Sequence, residues 1–274
     1  MIRRTALLSA LSMSLLLGAC SKNDDTTIDA SAEAEIDAQV DEAPATWTPM
    51  DYWPAVSPFV QGSYSGTCLR QPQVEMIDAT IAVSADGKVT SNGLAIDLRH
   101  SPHISLQRTR DDTGRYRSTV SFSLRPETDG GLMLDSGASG NGIIQVSHDK
   151  HDLMCTRMAG VDKLAAQPLN QALSSLFDVK KQTLSCFETR NLVVQPARDI
   201  DITIDGSTIR IGDQTFDTRS ASSESMSSDN AGEHVSMILF MPDAQLHLTY
   251  HGAGKLADVN IMRGESPLLC QQKD

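Results

Sequence analysis

Aromatic residues and basic residues are both scarce in this sequence of 274 residues. Phe, Trp and Tyr make up 4% of the chain, so broad aromatic stacking surfaces are not expected. Lys and Arg total 23 against 35 Asp and Glu, which gives a formal net charge of −12. Because nucleic-acid binders need a surplus of positive charge to neutralise phosphates, a nucleic-acid partner is not expected. Hydrophobic residues still make up 40%, enough for one or two packed cores.

Motifs of several common enzyme classes are also missing. The chain has no Gly-x-Ser-x-Gly nucleophile elbow, no P-loop and no dinucleotide fingerprint. It has no Cys-x-x-Cys, and the pair His247 and His251 has no evident third ligand, so no metal and no other cofactor is expected. The sequence therefore favours a binding protein over an enzyme.

The N-terminus has the pattern of a secretory signal. Arg3 and Arg4 precede an apolar run over residues 6–17, which is shorter than the ~20 apolar residues that a bilayer requires. Leu17-Gly18-Ala19-Cys20 resembles the lipobox of bacterial lipoproteins. The resemblance implies a signal peptide over residues 1–19 and a diacylglycerol on the thiol of Cys20. Two or three acyl chains would then hold the protein firmly on a membrane.

The segment after Cys20 is acidic and almost free of large apolar residues. Residues 20–46 contain eight Asp and Glu against a single Lys, so they predict a disordered tether. Ser21, rather than Asp, follows the cysteine, which in this lipoprotein class favours the outer membrane, with the head facing the periplasm. Loss of Arg3 and Arg4 with the signal peptide would change the net charge from −12 to −14.

The other four cysteines indicate a duplication. Cys68 and Cys155 are separated by 87 residues, and Cys186 and Cys270 by 84. In each interval an alternating strand runs into an Asp-Gly hairpin signal, and an Asp-x-Arg motif follows, at Asp97 and Asp217. The repeat predicts disulfides that pair Cys68 with Cys155 and Cys186 with Cys270, an arrangement typical of an oxidising compartment.

The predicted fold is mainly β. We expect a tandem repeat of two small antiparallel β-barrel or sandwich domains, each with one disulfide, over residues 47–160 and 181–274. Apolar residues at helical spacing over 168–178, after Pro168, predict a short helix within a connector over residues 161–180.

One stretch resembles a catalytic signature. Asp135-Ser136-Gly137-Ala138 is similar to the Asp-Ser/Thr-Gly-Ala/Ser motif of retropepsin-like aspartic proteases. Those enzymes need two facing aspartates, but the second repeat has Tyr250-His251-Gly252 at the matching place. The chain from Asp135 to Cys155 is also short for that fold. A glycine-rich turn after a strand is therefore the preferred interpretation.

Residues 183–272 resemble the membrane-bound inhibitors of c-type lysozyme, which are small lipoprotein β-barrels. The similarity rests on Leu184-Ser185-Cys186-Phe187-Glu188 at the start and on Ala257-Asp258-Val259 before Cys270. Ser220, Ser222 and Ser223 lie where that family has a serine-rich inhibitory loop, and His251 replaces the lysine of its Lys-Gly step. The resemblance implies that these four residues contact a protein target. The loop lacks the family's Ser-Gly-x-x-Tyr, so the target can differ.

The leading functional hypothesis is a lipoprotein of a Gram-negative outer membrane that binds a periplasmic protein. A basic peptidoglycan hydrolase is the expected target, because acidic charge accelerates association with a basic partner. A structural or accessory envelope lipoprotein is the alternative, and a protease that uses Asp135 is a remote one.

Overall fold

The computed structural model describes residues 51–99, 101, 103–123, 130–137, 142–148, 151–158, 163–190, 193–229, 234–264 and 266–273. All of them belong to one compact unit, Ala45–Asp274. The predicted signal peptide, Cys20 and the tether to residue 46 lie outside the described residues. Among the described residues, no helix has both the length and the apolarity needed to span a membrane.

The first half is mainly β and begins with a helix that the sequence patterns do not predict. This helix, α1 (Trp53–Val60), has Pro54 in its first turn. Proline is tolerated there because the N–H groups of a first turn have no acceptor within the helix. The Trp53 indole donates to the carbonyl of Ala85 at 2.8 Å and buries its ring against Phe122. The strands that follow are Gly62–Gln71 (β1), Glu75–Val83 (β2), Lys88–Ser91 (β3), Leu94–Asp97 (β4), His103–Arg110 (β5), Tyr116–Ser123 (β6), Gly131–Asp135 (β7), Gly142–His148 (β8) and His151–Met158 (β9).

The connector is less regular than its sequence predicts. A 3-10 turn at Lys163–Ala166 is followed by two single-turn helices, α2 (Leu169–Ala172) and α3 (Ser174–Phe177). The predicted continuous helix over 168–178 is interrupted because Leu173 leaves helical geometry at φ −116° and ψ 32°. The apolar positions behave as expected, since Leu169, Leu173 and Phe177 are fully buried.

The second half is also built of antiparallel strands. They are Val179–Arg190 (β10), Val193–Val194 (β11), Arg198–Asp205 (β12), Thr208–Ile211 (β13), Gln214–Asp217 (β14), Ser223–Asp229 (β15), His234–Phe240 (β16), Gln245–Tyr250 (β17), Leu256–Met262 (β18) and Leu268–Gln271 (β19). Strand β10 begins at Val179, so residues 179 and 180 belong to the strand rather than to the predicted connector. Gly206 has φ +51° in the turn after Asp205, as the Asp-Gly signal predicts.

The two halves have the same strand order. The first pairs as β4-β3-β2-β1-β9-β8-β7-β6-β5, and the second as β14-β13-β12-β10-β19-β18-β17-β16-β15. Disulfides join the first and last strands of each half, Cys68 to Cys155 and Cys186 to Cys270, which is the pairing that the repeat predicts. The rows of opposite residues also correspond: Cys68, Cys155, Ile144, Leu134 and Val120 match Cys186, Cys270, Val259, Leu248 and Met237.

Equivalent strands of the two halves pair with each other. Strand β5 runs antiparallel to β15, from Ser105 opposite Ser227 to Thr109 opposite Ser223, and we call this pairing the seam. Buried side chains of both halves, of α1 and of the connector form one hydrophobic cluster. The prediction of two separate domains is therefore not confirmed, because one sheet and one compact unit contain both repeats.

Candidate functional site

The predicted serine segment forms a turn and the start of a strand. Ser220 is exposed at the end of a 3-10 turn, Thr218–Ser220, and Ser222 is exposed just before β15. Ser223 is half-buried and begins β15, so it belongs to a strand and not to a loop. The carboxylate of Asp217 accepts the backbone N–H of Arg219 at 3.0 Å and pairs with its guanidinium. These bonds to Arg219 hold the pKa of Asp217 below its ordinary value.

The first half holds this segment in place across the seam. The backbone N–H of Arg110 donates to the carbonyl of Ser222 at 2.8 Å. The Tyr116 hydroxyl donates to the carbonyl of Ala221, also at 2.8 Å, and the hydroxyls of Thr109 and Ser223 lie 3.1 Å apart. The position of the serine segment is therefore fixed by both repeats, although all of its residues come from the second.

Exposed apolar side chains lie directly beside the serine segment. Phe240 is opposite Ser223 on β16, and Gln245 and Met262 follow on β17 and β18 in the same row. Phe240 is 43% exposed and Met262 is 44% exposed. We call this surface the Phe240 face, and it comprises Ser222, Ser223, Ile238, Phe240, Gln245 and Met262.

Charged side chains lie close to Met262. Arg263 is the next residue, and its guanidinium contacts a carboxylate oxygen of Asp243 at 2.9 Å and lies 5.6 Å from the ring centre of Phe216. An exposed aromatic ring with a polar rim is the composition typical of protein interfaces.

His251 lies elsewhere. It follows β17 in a turn, and its imidazole contacts that of His234 edge to face with 4.3 Å between ring centres. His234 and Phe240 are the two ends of β16, a separation of about 20 Å at ~3.3 Å per residue. The structure thus places Ser220, Ser222 and Ser223 at one end of β16 and His251 at the other, so the four predicted residues do not form a single site.

A buried ion pair lies on the inner side of the seam. Arg108 on β5 is opposite Glu224 on β15, with 2.9 Å between their charged atoms and side-chain exposures of 5% and 0%. The guanidinium also donates to the carbonyl of Ala165, and the carboxylate accepts the N–H of Leu169, both at 3.1 Å. The pair therefore ties the connector to both halves. Burial raises the pKa of Glu224 despite the opposing effect of Arg108.

The protease candidate Asp135 ends β7 on the outer face of the first half. Its carboxylate accepts the N–H of Gly137 at 2.7 Å, and Gly137 has φ +65°. Its two oxygens lie 3.4 and 3.5 Å from Nη2 of Arg117. This is the turn after a strand that the preferred interpretation predicts. The described residues also contain no group of three or more His, Cys, Asp or Glu that could hold a metal ion.

Phe240, Met262, Arg108 and Glu224 were missed as candidate residues. The first two could have been found from strand alternation, because the buried positions of β16 leave Ile238 and Phe240 facing outwards. The ion pair has no local signal, since its members are 116 residues apart. Comparison with protein-family models, curated proteins and solved structures finds no match for this chain.

Proposed function

We propose that this protein is an outer-membrane-anchored periplasmic lipoprotein that binds a protein target. The lipobox at Cys20 and the acidic tether support the anchor. Acyl chains on Cys20 would hold the protein on the membrane, and the like charges of residues 20–46 would keep the tether extended. The head would then contact targets in the periplasm.

The Phe240 face is the contact surface in this proposal, and its exposed Phe240 and Met262 are the observation that carries it. Large exposed apolar side chains that lie in one row mark interaction sites more often than scattered ones do. Ser220 and Ser222 border the row and supply hydroxyls for hydrogen bonds at the rim.

A basic peptidoglycan hydrolase of the lysozyme type is the target that we propose. The mature chain would carry a net charge of −14, which accelerates association with a basic protein and makes the rate fall as salt rises. The resemblance to lysozyme inhibitors covers residues 183–272, which include the whole Phe240 face. His251 contributes to this surface only if the target also reaches the far end of β16.

Lysozyme inhibition tests this proposal directly. The mature acylated protein in phospholipid vesicles is mixed with a basic c-type lysozyme, and cell-wall lysis is followed at low and high salt. We expect inhibition that Phe240→Ser weakens by roughly 30-fold, the loss typical of a central interface residue. Met154→Ser is the matched control, because Met154 is 45% exposed on the first half.

Two results would count against the proposal. If Phe240→Ser inhibits as well as the unchanged protein, the Phe240 face is not the contact surface. If the protein neither inhibits lysozyme nor retains a basic hydrolase from periplasmic extract, but retains envelope assembly proteins, the structural or accessory alternative is favoured.

A further inference from the structure

The outer face of the first half contains a polar cleft that the proposed function does not use. It has a volume of about 330 Å³ and is open to solvent on β5, β6 and β7. We call it the Asp135 cleft, and it is lined by Gln107, Thr109, Asp111, Arg117, Thr119 and Asp135. Its volume is at the lower end of the range for small-molecule sites, about 300–1,000 Å³.

The two carboxylates of the cleft are held in fixed positions. Oδ1 of Asp135 accepts the N–H of Gly137, and Oδ1 of Asp111 accepts the N–H groups of Thr113 and Arg115 at 2.9 Å. The hydroxyl of Thr113 and the N–H of Arg115 hold the pKa of Asp111 below its ordinary value. The second oxygens also have neighbours: Oδ2 of Asp111 lies 3.6 Å from Nε of Arg115, and Oδ2 of Asp135 lies 3.5 Å from Nη2 of Arg117. Each carboxylate is therefore fixed in position and keeps lone pairs that can accept a hydrogen bond from a ligand.

Hydrogen-bond donors alternate with these acceptors. Arg117 is 45% exposed, and its contacts of 3.4 and 3.5 Å with Asp135 occupy only a part of its five N–H groups. Gln107 offers both an amide donor and an acceptor, and the hydroxyl of Thr119 can donate or accept. The hydroxyl of Thr109 pairs with that of Ser223 and keeps one further acceptor position.

This mixture selects against ligands that carry one charge. An anion would face the carboxylates of Asp111 and Asp135, and a cation would face the guanidinium of Arg117. A hydroxyl group both donates and accepts, so a ligand with several hydroxyls can match every side chain of the cleft. We propose that the Asp135 cleft binds a neutral saccharide of one or two ring lengths, with Asp135 as a hydrogen-bond acceptor for vicinal hydroxyls.

The site is specific to the first half. The rows that start at the disulfides match Thr119 and Asp135 with Ser236 and Thr249, which also lie opposite each other. In the second half the hydroxyl of Thr249 donates to the carboxylate of Asp258 at 3.0 Å, and His234 takes the place of Arg117. These positions therefore do not repeat the pair of Asp135 and Arg117. A saccharide should therefore bind once per chain and not at each repeat.

Calorimetric titration of the full-length protein in detergent tests the site, with chitobiose and maltose as neutral probes. We expect saturable one-to-one binding of at least one of these disaccharides, with a Kd of about 1 mM because no aromatic ring lines the cleft. Asp135→Ala and Gln107→Ala should each weaken it by about 10-fold or more. Asp243→Ala, which removes an exposed carboxylate paired with Arg263, should not.

Acetate and methylammonium serve as probes with a single charge. Tighter binding of either ion than of both sugars would overturn the assignment to a neutral saccharide. The site itself would be refuted if neither sugar binds, or if Asp135→Ala binds as well as the unchanged protein while both have the same melting temperature. Lysozyme inhibition does not enter this test, so the two proposals fail independently.

Discussion

The buried pair of Arg108 and Glu224 gives the sharpest prediction about stability. We consider Arg108→Met, Glu224→Met and the double variant, because methionine keeps most of the volume of both side chains. Removal of one partner leaves the other charged group buried and without its counter-ion. Each single substitution should therefore lower the free energy of unfolding by about 3–5 kcal/mol.

The double variant should lose much less than the sum of the singles. It has no buried charge, and replacement of a buried ion pair by apolar groups is often neutral or stabilising by about 1–4 kcal/mol. Against this, the Ala165 carbonyl and the Leu169 N–H lose their partners, at about 1–3 kcal/mol each. We expect a net loss of about 1–3 kcal/mol and thus a coupling energy of at least about 3 kcal/mol.

Urea unfolding gives the free energy of unfolding of the oxidised full-length protein, of the two single variants and of the double variant. If the slope of this free energy against urea concentration is nearly the same for all four, unfolding exposes a similar surface in each. If the effects of the two single substitutions add to within about 0.5 kcal/mol, the two side chains are not coupled and our account of the seam is wrong.

Four further predictions concern single positions. Cys20→Ala should abolish fatty-acid labelling and release the protein from membranes; a variant that remains labelled and bound would exclude Cys20 as the anchor. Cys270→Ala opens the second disulfide and should cost about 4–5 kcal/mol in urea unfolding, because the bridge closes a loop of 84 residues. Asp135→Ala should cost about 1 kcal/mol or less, and acid-pH proteolysis assays should show no pepstatin-sensitive cleavage with either form; robust cleavage that the variant loses would revive the protease hypothesis. Burial raises the pKa of Glu224 above its ordinary value of 4.5, so its stabilising contribution is fully present below that pH and is lost as pH rises through the folded-state pKa. The stability of the unchanged protein relative to Glu224→Gln should therefore fall as the pH rises above about 4.5, and an increase in that range would contradict the pKa direction.

The strands and disulfides could be predicted because their signals are local or repeated. Strand alternation and Asp-Gly turns need only a short window of sequence, and the intervals between Cys68, Cys155, Cys186 and Cys270 indicated which cysteines pair. The mainly β class and the disulfide between the first and last strands of each half could therefore be predicted from the sequence.

The seam could not be predicted, because one of its two strands, β15, has a composition that is poor for a strand. β15 contains four serines, a glutamate and an aspartate in seven residues, so its local preference is for a turn or loop. Glu224 becomes favourable in a strand only because Arg108 lies opposite it, 116 residues earlier in the chain. Neither the strand alternation nor the repeat predicts that β5 and β15 pair.

The separation of His251 from the serine segment has a similar origin. The resemblance to a family suggested that these residues lie together, but their distance depends on which ends of β16 they adjoin. β16 runs from His234 to Phe240, and only the registers of β15 and β17 place Ser223 at one end and His251 at the other. The Phe240 face can be identified only when the registers of these strands are known.

The seam also determines when this molecule can finish folding. The first half is synthesised before the second, so the edge of β5 stays unpaired until β15 follows more than 100 residues later in the chain. A free strand edge is a template for pairing with any other extended chain, including another copy of the same protein. During that interval Arg108 has no counter-ion, and its charge at the centre of the edge discourages premature pairing with apolar strands. Arg108 therefore stabilises the finished sheet and also protects the unfinished one, and a neutral replacement at Arg108 should increase aggregation during folding even where the completed fold tolerates it.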